Sequence, residues 1–226
     1  MIELILPSVV TTEAAYDDRP RPGDRLLPPE REVIATAVAP RQREFTTVRH
    51  LARRALRRLG HPDAPLLPNR RGVPQWPPGS VGSLTHCAGY RAAAVSPTCL
   101  SAAVGIDAEP NAALPDGILD AVSLPSERPH LVALAAHRPD VHWDRLLFSA
   151  KESVFKAWHL LSRRELGFTE AEITIDPSDG TFAARLLVPG PDWAGHRLTT
   201  LTGRWHSTHP LLTTAVHLPS PTAPTT

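Results

Sequence analysis

The stretch Phe148-Ser-Ala-Lys-Glu-Ser-Val-Phe-Lys-Ala-Trp158 contains both lysines of the chain, Lys151 and Lys156, on either side of Glu152. All the other residues among the 24 basic ones are arginines. A lysine ammonium is compact and can transfer a proton, which the planar and permanently charged guanidinium of arginine cannot do. The placement of both lysines beside one carboxylate therefore indicates a functional site on this segment.

This segment also organises the predicted fold. Apolar side chains recur at helical spacing from about residue 145 to 164, and again from about residue 41 to 58, where Gly60 would end the helix. Short strands are expected after each helix, at residues 81–84, 92–95, 102–106, 173–175, 182–188, 198–201 and 212–217. The order predicts an α+β fold of two similar lobes in a pseudo-twofold arrangement, each a long helix packed on a small antiparallel sheet.

The predicted lobes cover residues 1–106 and 107–217, with a functional cleft between them. Residues 218–226 are rich in Pro, Ser and Thr, which predicts a disordered tail. The similarity of the two lobes would indicate an internal repeat. The alternative is that pairs of a helix and a hairpin look alike in unrelated proteins.

Composition limits the classes of function. With 226 residues, of which 42% are hydrophobic, the chain can bury a core as one domain or two small ones. The net charge of +1 provides no global attraction to nucleic acid or membranes. No apolar run approaches the roughly 20 residues of a spanning helix, and the start carries Glu3 without a basic leader, so we expect a cytoplasmic protein. Cys87 and Cys99 lack the spacing of a zinc site.

A pair of carboxylates lies in Val104-Gly-Ile-Asp-Ala-Glu-Pro110. On a strand, residues two apart project from the same face, so Asp107 and Glu109 would lie side by side and suit a hard cation such as Mg²⁺. The alternative is a hydrated pair on a solvent-facing strand. On the second helix, Glu152, Lys156 and His159 follow one stripe, which could also be an ordinary surface ion pair. The shared location of both lysines favours a third metal carboxylate and a phosphate-binding ammonium.

Taken together, these motifs resemble those of a known family. Gly105-Ile-Asp-Ala-Glu109 followed by the lysine-containing segment is similar to the two signature motifs of the 4'-phosphopantetheinyl transferases. Arg71-Gly-Val-Pro-Gln-Trp76 and Gly82-Ser-Leu-Thr-His-Cys-Ala-Gly-Tyr90 look like upstream motifs of the enterobactin-synthetase-associated and mycobacterial branch of the larger, two-lobed class. One departure is Phe148, where many relatives have Trp.

The resemblance implies transfer of the phosphopantetheine arm of coenzyme A onto a serine of an apo acyl or peptidyl carrier protein, releasing adenosine 3',5'-bisphosphate. Mg²⁺, or Mn²⁺, would be held by Asp107, Glu109 and Glu152. Glu152 would accept the serine proton, directly or through a metal-bound water. Lys156 would stabilise or protonate the leaving phosphate, and Lys151 would contact the phosphate or pantetheine region.

The resemblance also implies a binding site for coenzyme A. The residues expected to bind it are Thr85 and His86 at the 3'-phosphate, helped by Arg41, Arg49, Arg53, Arg70 and Arg71, together with Asp107, Lys151 and Lys156. The carrier protein, with an acidic recognition helix, would dock around the second lobe and a Pro-rich loop at residues 111–139. A single chain encloses the whole cleft, so we expect a monomer.

Two alternatives from other classes remain at this stage. One is a nucleic-acid-binding module built on the arginine-rich first helix, which the near-neutral net charge opposes. The other is a catalytically silent relative that binds coenzyme A or a carrier protein, which the intact acids and lysines oppose.

Overall fold

The computed structural model describes residues 1–21 and 23–221. Its helices are α1 Pro28–Ile34, α2 Ala39–Arg58, α3 Ile118–Val122, α4 Arg128–His137 and α5 Trp143–Ser162, with 3₁₀ turns at Ile2–Leu4 and Phe168–Glu170. The strands are β1 Thr11–Ala15, β2 Ser80–Cys87, β3 Tyr90–Pro97, β4 Ser101–Pro110, β5 Ala171–Asp176, β6 Thr181–Leu186, β7 Asp192–Trp193, β8 His196–Arg197, β9 Thr200–Thr208 and β10 Leu211–Pro219.

Helix α2 packs on an antiparallel sheet of three strands in the order β1-β3-β2. Its buried stripe includes Leu51, Ala55 and Leu56, which meet Ala93 and Val95 of β3. Full burial of a leucine side chain contributes roughly 1.5–3 kcal/mol, so this stripe fixes the helix on the sheet. A glycine with a φ of +84° at residue 60 follows the helix, as the sequence predicted.

Helix α5 packs on the second sheet, an antiparallel arrangement in the order β4-β10-β9-β6-β5. Leu147, Val154 and Trp158 are buried on this sheet, as the helical spacing predicted. The helix lies directly against β4 at Gly105, where an added Cβ would be 2.0 Å from the carbonyl oxygen of Ser153. The glycine therefore permits the close approach of α5 to the strand that carries the paired carboxylates.

The two sheets meet along β2 and β4. The hydroxyls of Ser83 and Thr85 on β2 accept hydrogen bonds from the backbone N–H groups of Ile106 and Ala108, at 3.1 and 3.0 Å. These hydroxyls satisfy N–H groups on the edge of β4 that β10 leaves unpaired. The junction therefore brings residues of β2 beside the acidic end of β4.

The α+β fold with antiparallel sheets is confirmed, whereas the pseudo-twofold relation of two lobes stays a prediction. The predicted boundary between residues 106 and 107 falls inside β4, which pairs with β10 from Ser101 to Pro110. A division before Ser101 therefore suits the sheets better. Local sequence patterns could not locate this division, because strand pairing between distant segments decides which sheet a strand joins.

Two further expectations need correction. The predicted tail starts too early, because β10 continues to Pro219; residues 222–226 lie outside the described residues. The predicted loop at residues 111–139 contains α3 and α4. Pro129 lies at the start of α4, where a proline is compatible with a helix. Leu131 and Leu134 are buried in the hydrophobic core between α5 and the second sheet. Within the described residues, we find no helix with the length and apolar character needed to cross a bilayer.

Candidate active site

Asp107 is the centre of a hydrogen-bond network at the junction of β2, β4 and α5. One of its carboxylate oxygens accepts from Ser149 Oγ at 2.8 Å, and the other from Lys156 Nζ at 2.7 Å and Thr85 Oγ1 at 3.3 Å. Thr214, which is opposite Asp107 on β10, donates its hydroxyl to the Ser149 carbonyl at 2.8 Å. These contacts fix the orientation of the buried carboxylate.

Lys156 reaches from α5 across to β4. Besides Asp107, its ammonium donates to the carbonyl oxygen of Ile106 at 2.9 Å. Its side chain is only partly buried and also lines a cleft between α2 and α5. The structure therefore brings one of the two lysines to the predicted acids and leaves it accessible to a ligand.

Glu109 and Glu152 add two more carboxylates near Asp107. Glu109 accepts from Arg145 at 2.9 Å, and burial, followed by the charge of Asp107, raises its pKa. Burial also raises the pKa of Glu152, where Lys156 opposes the shift and Asp107 adds to it. Burial, together with the negative charges of Glu109 and Asp107, raises the pKa of the Cys87 thiol to about 12. The region thus has a negative potential that a cation would relieve.

The donor chemistry of these acids fits a hard divalent cation, since all three side chains offer carboxylate oxygens. Burial, with a smaller contribution from Asp107, raises the pKa of Glu109 and of Glu152, and a bound cation would oppose both shifts. Within residues 1–21 and 23–221, however, no group of three or more His, Cys, Asp or Glu side chains already has the arrangement of a metal site. Asp107, Glu109 and Glu152 are therefore neighbours in one electrostatic field and not a closed ligand set.

The cleft between the two long helices has a volume of about 260 Å³. One wall carries basic groups: Arg41 lies 2.9 Å from His86 Nε2, and both also contact Glu44, at 2.5 and 2.8 Å, while Arg49 donates to the Leu66 carbonyl at 2.8 Å. Burial lowers the pKa of Arg49 to about 10 and lowers that of His86, although Glu44 partly offsets the second shift. The other lining residues include Phe45, Val48, Arg71, Pro74, Phe155, Lys156, His159 and Leu160. The cleft can accept a ligand that combines an anionic group with an apolar ring.

Three residues predicted to bind the 3'-phosphate lie elsewhere. Thr85 directs its hydroxyl to Asp107, on the opposite side of β2 from the cleft residue His86. Arg53 is buried and donates to both carboxylate oxygens of Glu30 at 2.7 Å. Arg70 is exposed on the loop beside Arg71, which itself lines the cleft and lies 3.2 Å from Glu165.

Lys151 is not brought to Asp107. Its buried ammonium lies 2.9 Å from Glu127 and donates to the carbonyl oxygens of Phe168 and Ala171, at 2.6 and 3.1 Å. An ammonium has three N–H donors, so these contacts use all of them and leave none for the predicted phosphate contact. The side chain belongs to the packing between α5 and the segment that leads into β5.

A second cavity, of about 270 Å³, lies on the other side of Phe155. Its lining is mostly apolar and includes Leu166, Phe168 and Ala171, with Glu152 among the few charged side chains. Phe155 lines both spaces, with Lys156 at the cleft and Glu152 at the cavity. Phe155 is thus shared by the two spaces, with Lys156 and Glu152 on either side of it in sequence.

Sequence reasoning missed several members of this site. Ser149 lies inside the segment quoted first, three residues before Glu152, but serines in helices are common and carry little signal. Thr214 and Glu127 are far from the motifs along the chain. Arg145 was expected only as the start of a helix, and its ion pair with Glu109 depends on the packing of α5 against β4.

Comparison with known proteins gives matches along nearly the whole chain. A family model described as the 4'-phosphopantetheinyl transferase N-terminal domain matches residues 29–96, and that of the 4'-phosphopantetheinyl transferase superfamily matches residues 103–209. 4'-Phosphopantetheinyl transferase Svp of Streptomyces mobaraensis is 58% identical over 98% of this chain and 90% of its own. 4'-Phosphopantetheinyl transferase PptT of Mycobacterium tuberculosis is 47% identical over 96% of this chain and 98% of its own. Enterobactin synthase component D of Salmonella typhi is 33% identical over 67% of this chain and 62% of its own.

Proposed function

Since the chain belongs to the 4'-phosphopantetheinyl transferase superfamily and is an enzyme of that class, transferring phosphopantetheine onto carrier proteins, we propose how its own residues carry out the reaction. The proposed substrates are coenzyme A and a serine of an apo acyl or peptidyl carrier protein. The serine oxygen forms a bond to the phosphorus next to the pantetheine arm. The bond from that phosphorus to the bridging oxygen breaks, and adenosine 3',5'-bisphosphate leaves.

The observation that carries this proposal is the position of Lys156. Its ammonium lies 2.7 Å from Asp107 and its side chain lines the basic cleft, while Glu152 lies one helical turn earlier at the second cavity. The pyrophosphate of a molecule that occupies both spaces would therefore pass Lys156. An ammonium there can neutralise, or protonate, the oxygen of the leaving bisphosphate.

We propose that the nucleotide part of coenzyme A binds in the cleft. Arg41, Arg49, Arg71 and His86 supply the positive and hydrogen-bonding groups that its 3'-phosphate needs. Phe45 and neighbouring apolar side chains can pack against the adenine ring. The pantetheine arm would then extend past Phe155 into the second cavity, whose mostly apolar lining suits a long and weakly polar chain.

Glu152 is the proposed general base for the serine. Burial raises its pKa, which makes its carboxylate a stronger proton acceptor than an exposed glutamate. Asp107, Glu109 and Glu152 would hold the divalent ion, which would neutralise charge on the pyrophosphate oxygens. Mg²⁺ is the proposed ion, and Mn²⁺ would bind the same oxygen ligands. Monomeric state and cytoplasmic location stay predictions.

Binding of nucleic acid on α2 is the weaker proposal. Three exposed arginines in its last two turns have acidic partners: Arg54 and Arg58 lie 3.1 and 3.3 Å from Glu13, and Arg57 lies 3.1 Å from Asp63. These pairs neutralise much of the charge that phosphate contacts would use.

The test is mass spectrometry of an apo carrier protein after incubation with coenzyme A, Mg²⁺ and this protein. We expect the carrier to gain the phosphopantetheine arm, and Glu152→Ala or chelation of the metal to abolish the gain. Glu32→Ala is the matched control, since Glu32 is exposed on α1 and should leave the reaction unchanged. Failure to modify several types of carrier would refute the proposed reaction, and full activity of Glu152→Ala would refute the assigned base.

A further inference from the structure

Glu127 and Lys151 form a buried ion pair outside the network around Asp107. Their charged atoms are 2.9 Å apart, and their side chains are 1% and 3% exposed. Removing two charges from water is costly, so the presence of a buried ion pair calls for a physical reason. The reason lies in the other groups that the pair contacts.

The pair holds three separate segments of the chain. Glu127 precedes α4 and accepts from the backbone N–H groups of Leu124 and Ile173, at 2.6 and 2.7 Å. Lys151 projects from α5 and donates to the Phe168 and Ala171 carbonyls. The start of α4, the middle of α5 and residues 168–173 are therefore tied together by two side chains.

One of these segments forms a wall of the second cavity. Phe168 and Ala171 line it, as does Lys151 itself, with Glu152 as the adjacent residue on α5. Phe168 also stacks on Phe148, with ring centres 5.8 Å apart. Any shift of residues 168–171 would change the width of the cavity beside the proposed base. A lysine suits this role because its compact ammonium can meet three acceptors from different directions, unlike the planar guanidinium.

We propose that Glu127 and Lys151 are positioning residues that set the shape of the second cavity and thereby the binding of the pantetheine arm. This inference rests on the proposed function, which places the arm in that cavity. It assigns Lys151 to the cavity wall and not to phosphate. Loss of the pair should therefore weaken binding of the arm and leave binding of the nucleotide part unchanged.

The test is isothermal titration calorimetry of the full chain with coenzyme A and, separately, with adenosine 3',5'-bisphosphate, which lacks the arm. Lys151→Met removes three donors, and Glu127→Gln leaves one of the two backbone N–H groups facing the amide NH2, which cannot accept from it. For both variants we expect affinity for coenzyme A to fall about tenfold, and affinity for the bisphosphate to stay within about twofold. Glu127→Gln keeps the size of the side chain, so it provides the test if Lys151→Met does not fold.

The matched control is Lys156→Met, which should weaken binding of both ligands because Lys156 would face the phosphate at the 5' position that both ligands carry. An equal loss of affinity for both ligands in the Glu127 or Lys151 variants would overturn the inference, as would unchanged affinity for both. If the unmodified protein does not bind coenzyme A, the proposed function itself fails. If it binds coenzyme A no more tightly than the bisphosphate, the assignment of the arm to the cavity fails.

Discussion

Substitution of Gly105 by alanine tests whether the contact between α5 and β4 sets the geometry of the active site. A Cβ at this position would lie 2.0 Å from the Ser153 carbonyl oxygen and 2.8 Å from the Ala157 backbone nitrogen. Both obstructing atoms belong to the helix backbone, so no side-chain rotation can relieve the overlap. Ordinary contact distances of about 3.5 Å require the helix to retreat by roughly 1.5 Å.

The retreat would separate groups that must act together. Lys156 lies on α5, one residue before Ala157, and its ammonium is 2.7 Å from Asp107 on β4. A displacement of this size would lengthen the contact to about 4 Å, which is beyond hydrogen-bonding distance. Misplacement of a reacting group by about 1 Å can reduce the rate roughly 100-fold. Overpacking costs typically 1–3 kcal/mol, and a backbone obstruction favours the upper end, which corresponds to a fall in Tm of about 6–12 °C.

Two assays separate the effects on activity and stability. Turnover of an apo carrier protein is measured by mass spectrometry at a temperature well below both unfolding transitions, and Tm is measured by circular dichroism. Gly190→Ala is the matched control, because its Cβ would lie 1.8 Å from the backbone carbonyl oxygen of Leu198, in the segment between β6 and β9 and outside the network around Asp107. We expect it to lower Tm without reducing turnover per folded molecule. Turnover of Gly105→Ala within about twofold of the unmodified protein would refute the reasoning.

Four further predictions concern the surrounding residues. Ser149→Ala removes the 2.8 Å hydrogen bond to Asp107, so we expect about tenfold lower kcat/KM and about 1 kcal/mol lower stability in urea denaturation; unchanged kcat/KM would argue against a role for this bond. Since burial raises the pKa of Glu152, its carboxylate should take up a proton above the usual 4.5 in the metal-free protein; an NMR titration without divalent ion that shows the usual value would contradict this. A carboxyl whose pKa is raised by folding stabilises the protein below its unfolded-state pKa, and this contribution is lost as the pH rises and the group ionises. Glu152→Gln removes the buried charge, so it should raise Tm at pH 7, which calorimetry can check. Arg53→Met leaves Glu30 buried without its partner and should cost about 3–5 kcal/mol in urea denaturation; a loss of coenzyme A affinity without a loss of stability would instead restore its predicted ligand role.

Local spacing was enough to predict the main elements of the site. The apolar stripe of α5 and the alternation along β4 depend on residues close together in the chain, so Asp107, Glu109, Glu152 and Lys156 could be assigned to their elements. The resemblance to a family also came from these contiguous motifs. The comparisons confirm the family and the class of enzyme.

The contacts between distant segments could not be predicted in this way. Thr85 and His86 are neighbours on β2, yet alternation of side chains sends one to Asp107 and the other to the cleft. Which face meets which partner depends on the contact between β2 and β4, which belong to different sheets. Arg49 and Arg53 lie one turn apart on α2, but α1 supplies Glu30 to the second and thereby removes it from the ligand site.

Patterns along the chain were enough to place two lysines beside one glutamate on a helix, and two acids on one face of a strand. The surroundings of the two lysines depend on the tertiary structure. Five residues on an α-helix correspond to a rotation of about 140°, so Lys151 and Lys156 cannot project in the same direction. The packing of α5 against β4 brings Lys156 to Asp107, while the approach of residues 168–171 surrounds Lys151 with acceptors. The environment of a side chain is set by segments remote in sequence, and local patterns do not encode those contacts.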